Sequence, residues 1–142
     1  MGKINWGRVV LCGLVTGGLV MAITTPVFYL AFDESEYMRA MRTARVAAHP
    51  HFEPILVAAP MNFLAGIWVL WIYAAIRPRY GPGPRTAMVA GLAGWFAVAI
   101  LEVELASLLL LPISFSGLAV PLGVALPAMV VAAMVGAWQY KE

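Results

Sequence analysis

TAMVAGLAGWFAVAILEVELASLLLL, residues 86–111, decides the class of this fold. It runs for 26 residues with two charges, Glu102 and Glu104. A helix needs about 20 apolar residues to cross about 30 Å of hydrocarbon. Three further runs have the same character. Residues 9–32 hold 24 positions without a charge, 54–76 hold 23, and 113–140 hold 28, of which the first few serve as a turn. The expected fold is therefore an all-α integral membrane protein, a four-transmembrane-helix bundle. It forms one membrane domain over 1–142, with spans at about 9–32, 54–76, 86–111 and 116–138.

Composition points the same way. Of the 142 residues, 63% are hydrophobic and 11% charged, where soluble domains carry about 45–50% and about 25%. So little polar surface does not cover so apolar a core. The start is basic (Lys3, Arg8), but the run that follows is too long for a signal peptide and no small-residue cleavage site precedes a soluble domain. The single Cys12 excludes an internal disulfide, and a thiol among apolar neighbours reads as packing.

Charge placement gives an orientation. Short basic loops stay in the cytoplasm. The link 77–85 carries Arg77, Arg79 and Arg85 and no acid, the N-terminus carries Lys3 and Arg8, and the C-terminus ends in Lys141 and Glu142. Four alternating spans bring all three to one side. The link 33–53, with four acids and three arginines, falls on the other with the uncharged turn near 112–117. Both termini are read as cytoplasmic, in a multi-pass membrane protein.

The two halves repeat. Pro60 is followed at offsets of 11 and 13 by Trp71 and Tyr73, and Pro127 by Trp138 and Tyr140. Ala65-Gly66 matches Ala132-Ala133. Arg8 precedes Gly13-x-x-x-Gly17 as Arg85 precedes Ala90-x-x-x-Gly94. Both hairpins start inside, so the repeat is parallel, with a pseudo-twofold along the membrane normal. Small residues replace the hydrophobic drive between helices in lipid. Gly13, Gly17, Ala90, Gly94 and Gly66 are the expected packing positions, with Ala58 and Asn62 on the Gly66 face and Ala128, Ala132 and Gly136 in the fourth span. Prolines 26, 60, 121 and 127 are expected to bend or end helical turns.

Residues 34–48 lack Pro and Gly and read as a short outer amphipathic helix, with Tyr37, Met41, Ala44 and Ala48 on one face. Beyond it, His49-Pro-His51-Phe-Glu53 offers two imidazoles and a carboxylate. The intervening proline forces an extended shape, and no partner ligand is near. A plain loop is the first reading, with His49 and His51 as weak metal or pigment candidates.

Glu102 and Glu104 are the sharpest functional signal, because ionisable groups within a span are costly. Two residues apart on a helix, they point about 200° from each other and need separate explanations. Counting from the centres of their spans, Glu102, Asn62, Thr24 and Thr25 fall in one layer. The expectation is an internal polar layer in which Glu102 bonds Asn62 or a threonine. Glu104 reaches the interface or an arginine of the outer helix.

WIYAAIRPRYGPGPRTA, residues 71–87, resembles the central loop of small bacterial inner-membrane proteins with four predicted spans. The Gly-rich first helix and the ending Trp138-Gln-Tyr140-Lys-Glu142 are similar too. The resemblance implies the topology and brings no activity or catalytic residue.

The functional expectation is a non-catalytic accessory or scaffold subunit of a larger membrane complex, such as a respiratory or photosynthetic one. The alternative is a small oligomeric transporter or channel using Glu102. An enzyme is not expected, since these residues form no nucleophile–base or metal constellation. No cofactor motif is present and the cofactor stays open, with a bound lipid or pigment as the candidates. The expected partners are the bilayer and other membrane subunits or further copies of the chain, and not nucleic acid.

Overall fold

A backbone taken out of water must satisfy its N–H and C=O groups within its own segment, so long apolar runs become helices. The computed structural model describes residues 4–32, 34–48, 55–108 and 114–140, and no strand occurs among them. Five helices follow in order: α1 (Trp6–Ala31), α2 (Glu36–Ala48), α3 (Ile55–Tyr80), α4 (Pro84–Leu108) and α5 (Phe115–Gln139). All but α2 contain a stretch long and apolar enough to cross a membrane, in α3 over Ala59–Tyr80 and in α4 over Pro84–Glu104.

Two helices run beyond the charge-free stretches. α1 begins at Trp6 rather than at 9, because Asn5 caps it: its Oδ1 accepts the Arg8 N–H at 3.2 Å, satisfying one of the free donors of a first turn. α3 runs on through Pro78 to Tyr80, so Arg77 and Arg79 lie in its last turn instead of in a loop. Pro78 removes one helical N–H, yet the helix closes beyond it. The Gly81 N–H donates to Arg77 O at 2.8 Å. Gly81 has φ +81° and Gly83 φ +150°, conformations that side-chain-bearing residues rarely adopt. The turn is clasped by Thr86 Oγ1, which donates to Gly81 O at 2.8 Å. The link is thus only 81–83, with Pro84 and Arg85 already helical and Pro84 at the position where its missing N–H costs nothing. Pro26, Pro60, Pro121 and Pro127 all remain inside their helices.

α1 packs against α3 and α5, α4 packs against the same two helices, α3 touches α5, and α2 rests on α5. The α1–α3 contact is backbone on backbone. A Cβ built on Gly66 would overlap Gly13 O and the Gly17 backbone, and one on Gly17 would overlap Asn62 O and Phe63 Cα. Gly94 faces Val69 of α3, and Gly136 faces Thr16, Cys12 O and Leu70. The Thr16 hydroxyl is fully buried and donates to Cys12 O at 2.9 Å, so its polarity is spent within its own helix. Trp95 Nε1–H of α4 donates to Leu122 O of α5 at 2.9 Å. Around these contacts lie Val9, Val20, Val69, Leu70 and Met129, each with at most 4% of its surface exposed.

Burial repeats between the halves. In α1 the buried positions 12, 13, 16, 17 and 20 coincide with 86, 87, 90, 91 and 94 of α4, a shift of 74. In α3 the buried positions 66, 69, 70 and 73 coincide with 133, 136, 137 and 140 of α5, a shift of 67. Contacts repeat as well. A Cβ on Gly17 would meet Asn62 O and Phe63 Cα, and one on Gly91 would meet Met129 O and Val130 Cα, their counterparts at the shift of 67. Gly17 therefore corresponds to Gly91, and Ala90 to Thr16. The sequence register, which paired Gly17 with Gly94 through Arg8 and Arg85, is off by three residues. Arg8 and Arg85 are both exposed, so no packing ties them to equivalent positions.

Candidate functional site

The polar chemistry of the chain gathers at two ends of the helices. At the first, α2 meets the start of α5. Ser35 Oγ accepts the Met38 N–H at 3.3 Å and shapes the entry to α2. Glu36, the first residue of α2, then reaches Ser114. One carboxylate oxygen accepts the Ser114 N–H at 2.5 Å and the other accepts the Ser114 hydroxyl at 2.7 Å. Ser114 is also the N-cap of α5, its Oγ accepting the Gly117 N–H at 3.0 Å. Because that hydroxyl donates to Glu36, the 2.9 Å contact with Ser116 Oγ takes its proton from Ser116. A single carboxylate thus fastens α2 to a helix cap.

These donors hold the Glu36 carboxyl below the usual carboxylate range, the Ser114 hydroxyl first and its backbone N–H second. The latch is fully made above the ordinary carboxylate range and is lost as the pH falls through the depressed value. Protection of the α2 amides, taken relative to the intrinsic exchange rate at each pH, is expected to fall on acidification. In Glu36→Gln, exchange in α2 is expected to be fast at neutral pH and to lose that acid dependence.

Next to the latch, Tyr37 turns toward the long helices. Its ring lies 5.9 Å from that of Phe28 in α1, tilted by 35°. The phenol is pushed up to about 12, chiefly by burial and secondarily by the charge of Glu102 in α4. A raised phenol stabilises the fold at full strength below its unfolded value, and this contribution is lost as the pH climbs through about 12. A difference titration of phenolate absorbance between the protein and Tyr37→Phe should show one tyrosine ionising near that value.

Glu102 itself is mostly buried. Its Oε2 is sealed from solvent and has no hydrogen-bond partner among the described residues. Thr24 donates to Val20 O of its own helix at 2.9 Å, Thr25 is exposed, and Asn62 presents its backbone carbonyl to Gly17. Glu104 is exposed, on a different side of α4 from Glu102. At the burial shift of 74, the counterpart of Glu102 is Phe28. Sequence reasoning did not foresee the contact of Tyr37 with Phe28, which needs α2 to fold back against α1. A signal was present in the apolar face carrying Tyr37, and the adjoining Ala40 is 7% exposed.

At the other end the helix termini converge. The Asn5 N–H donates to the Tyr140 hydroxyl at 3.3 Å. Tyr73 and Tyr140, equivalent at the shift of 67, meet edge to face at 6.0 Å and 88°. The Arg77 guanidinium lies 5.6 Å from the centre of the Tyr140 ring. Arg8, Arg79 and Arg85 are exposed. Lys3, Lys141, Glu142, His49, His51 and the turn at 112–113 lie outside the described residues, as do the side chains of Ala44, Ala48 and Ala58. Among the described residues no three metal-ligating side chains come together.

Comparison with protein-family models, curated proteins and solved structures finds no match to this chain.

Proposed function

We propose that the chain is a four-span bundle of two similar helical hairpins, related by a pseudo-twofold along the membrane normal. Its termini lie on the cytoplasmic side of a bacterial inner membrane. In this reading it works as a non-catalytic accessory or scaffold subunit of a larger membrane complex. The observation that carries the reading is the outward placement of large apolar side chains on every long helix. Leu11, Leu64, Phe96 and Val131, one from each, expose half or more of their surface. Helices apolar on all sides need a nonaqueous surrounding, and such faces suit lipid, other membrane subunits or further copies of the chain. Gentle extraction in mild detergent tests this. Co-migration with other polypeptides, with or without a coloured cofactor in the absorption spectrum, is the expected result. Migration as a small colourless homo-oligomer would contradict it.

A second reading, a small oligomeric transporter or channel using Glu102, is favoured by one observation, the sealed and unpartnered Oε2. Ionisable groups at such depth mark ion or proton paths in many membrane proteins. Flux in proteoliposomes that is lost in Glu102→Gln, with stability unchanged, would move the weight to this reading.

A further inference from the structure

We infer that the end of the bundle made by the start of α1, the end of α3 and the start of α4 binds anionic phospholipids. The headgroups sit on Arg8, Arg79 and Arg85, and the acyl chains lie on the apolar stripes beneath them. The inference rests on the proposed reading that the helices cross a bilayer.

Charge is segregated along the helices. The described acids Glu34, Glu36, Glu102 and Glu104 adjoin α2 or lie in the last two turns of α4. The opposite end carries Arg8, Arg77, Arg79 and Arg85, with no acid among the described residues. Arg77 lies over the Tyr140 ring, whereas the other three are exposed. A surface of one sign attracts a partner of the other.

The kind of anion follows from what lies below each arginine. On α1, Arg8 is followed by Leu11 and Val15, at offsets of 3 and 7. On α4, Arg85 is followed by Met88, Leu92 and Phe96, at offsets of 3, 7 and 11. On α3, which runs the other way, Arg79 is preceded by Trp68 and Leu64, at offsets of 11 and 15. Such offsets keep to one helix face, and each of these apolar side chains exposes 40% or more of its surface. Eleven residues of helix cover about 16 Å, close to one leaflet of a hydrocarbon core about 30 Å thick. A free phosphate or an acidic peptide would engage the arginines alone. A phospholipid engages the whole stripe, with its phosphate bonded by guanidinium and its chains against the apolar side chains. Trp6 and Tyr80, both exposed beside these arginines, suit the headgroup level.

Tryptophan quenching by brominated lipids tests the inference. The full-length protein is placed in phosphatidylcholine vesicles holding equal mole fractions of either dibrominated phosphatidylcholine or dibrominated phosphatidylglycerol. Trp6, Trp68 and Trp138 are exposed reporters. The expected result is a relative affinity that favours phosphatidylglycerol, by about fivefold for each arginine engaged, and that weakens at high salt. The preference should disappear when Arg8, Arg79 and Arg85 are all changed to Gln. Arg39→Gln, at the α2 end, should keep it. Equal quenching by the two lipids would overturn the site and leave the spanning reading intact. So would a preference that survives the triple change, or one that falls as far in Arg39→Gln. Absence of quenching by either lipid would overturn the spanning reading and the site with it.

Discussion

Gly66→Val is expected to drive α1 and α3 apart and to cost about 3 kcal/mol of stability, at the upper end of the range for overpacking a tight core. The reason is what surrounds this glycine. A single Cβ there would fall against Gly13 O and the Gly17 nitrogen and Cα, all backbone, so no side chain can swing away to relieve it. On the proposed membrane reading the cost is felt in full, because in lipid close approach is itself what holds helices together. Gly66→Ala should already be harmful. At Gly91 a Cβ would meet Ala133 Cβ and Val130 Cα at 3.0 Å, and a small displacement relieves that contact. Gly91→Ala should therefore be milder than Gly66→Ala, although the two glycines occupy related seams. Unfolding in mixed micelles, followed by tryptophan fluorescence, gives the comparison. Equal tolerance of valine at both positions would contradict the α1–α3 packing.

Arg77→Leu is the second large expected effect. Leucine keeps the apolar bulk of the stem and deletes the guanidinium over Tyr140. Cation–π contacts are worth about 2 kcal/mol or more where water is excluded, and Nε and Nη1 of Arg77 are buried atoms. A loss of about 2 kcal/mol follows. Arg77→Lys should recover part of it, since the charge remains but the planar face does not. The Tyr140 hydroxyl accepts the Asn5 N–H and its ring meets that of Tyr73 at a right angle, so damage at Arg77 should spread to the start of α1. Increased hydrogen exchange there in Arg77→Leu would show it. An unchanged exchange pattern would mean that the aromatic cluster stands without its cation.

The four long helices were legible because uninterrupted apolar length is a coarse signal that packing does not overrule. Residues 86–111 suffice to announce one, and α4 covers most of them. Finer features were less visible. Arg77 and Arg79 read as loop because they are charged and flank a proline, yet a helix needs only local bonds to continue, and Gly81 supplies its end. The duplicated pattern was visible in Trp71, Tyr73, Trp138 and Tyr140, whose spacing coincides with the shift seen in burial. The register of the other two helices was misread, because exposed arginines served as its anchor where buried Thr16 and Ala90 were the better one. The contact of Tyr37 with Phe28 depends on α2 folding back against α1, a tertiary event that no spacing within α1 or α2 encodes. The latch of Glu36 on Ser114, 78 residues away, is hidden for the same reason.

The most direct test of the central claim, a four-span chain with α2 outside and the 81–83 link inside, is sided thiol labelling. Single cysteines placed at the exposed positions Arg39 and Pro82, in a Cys12→Ala background, are treated with a membrane-impermeant maleimide before and after the membrane is opened. Labelling of Arg39→Cys in intact cells and of Pro82→Cys only after opening is the expected result. Labelling of both positions from the same side, or of Pro82→Cys alone in intact cells, would contradict the account.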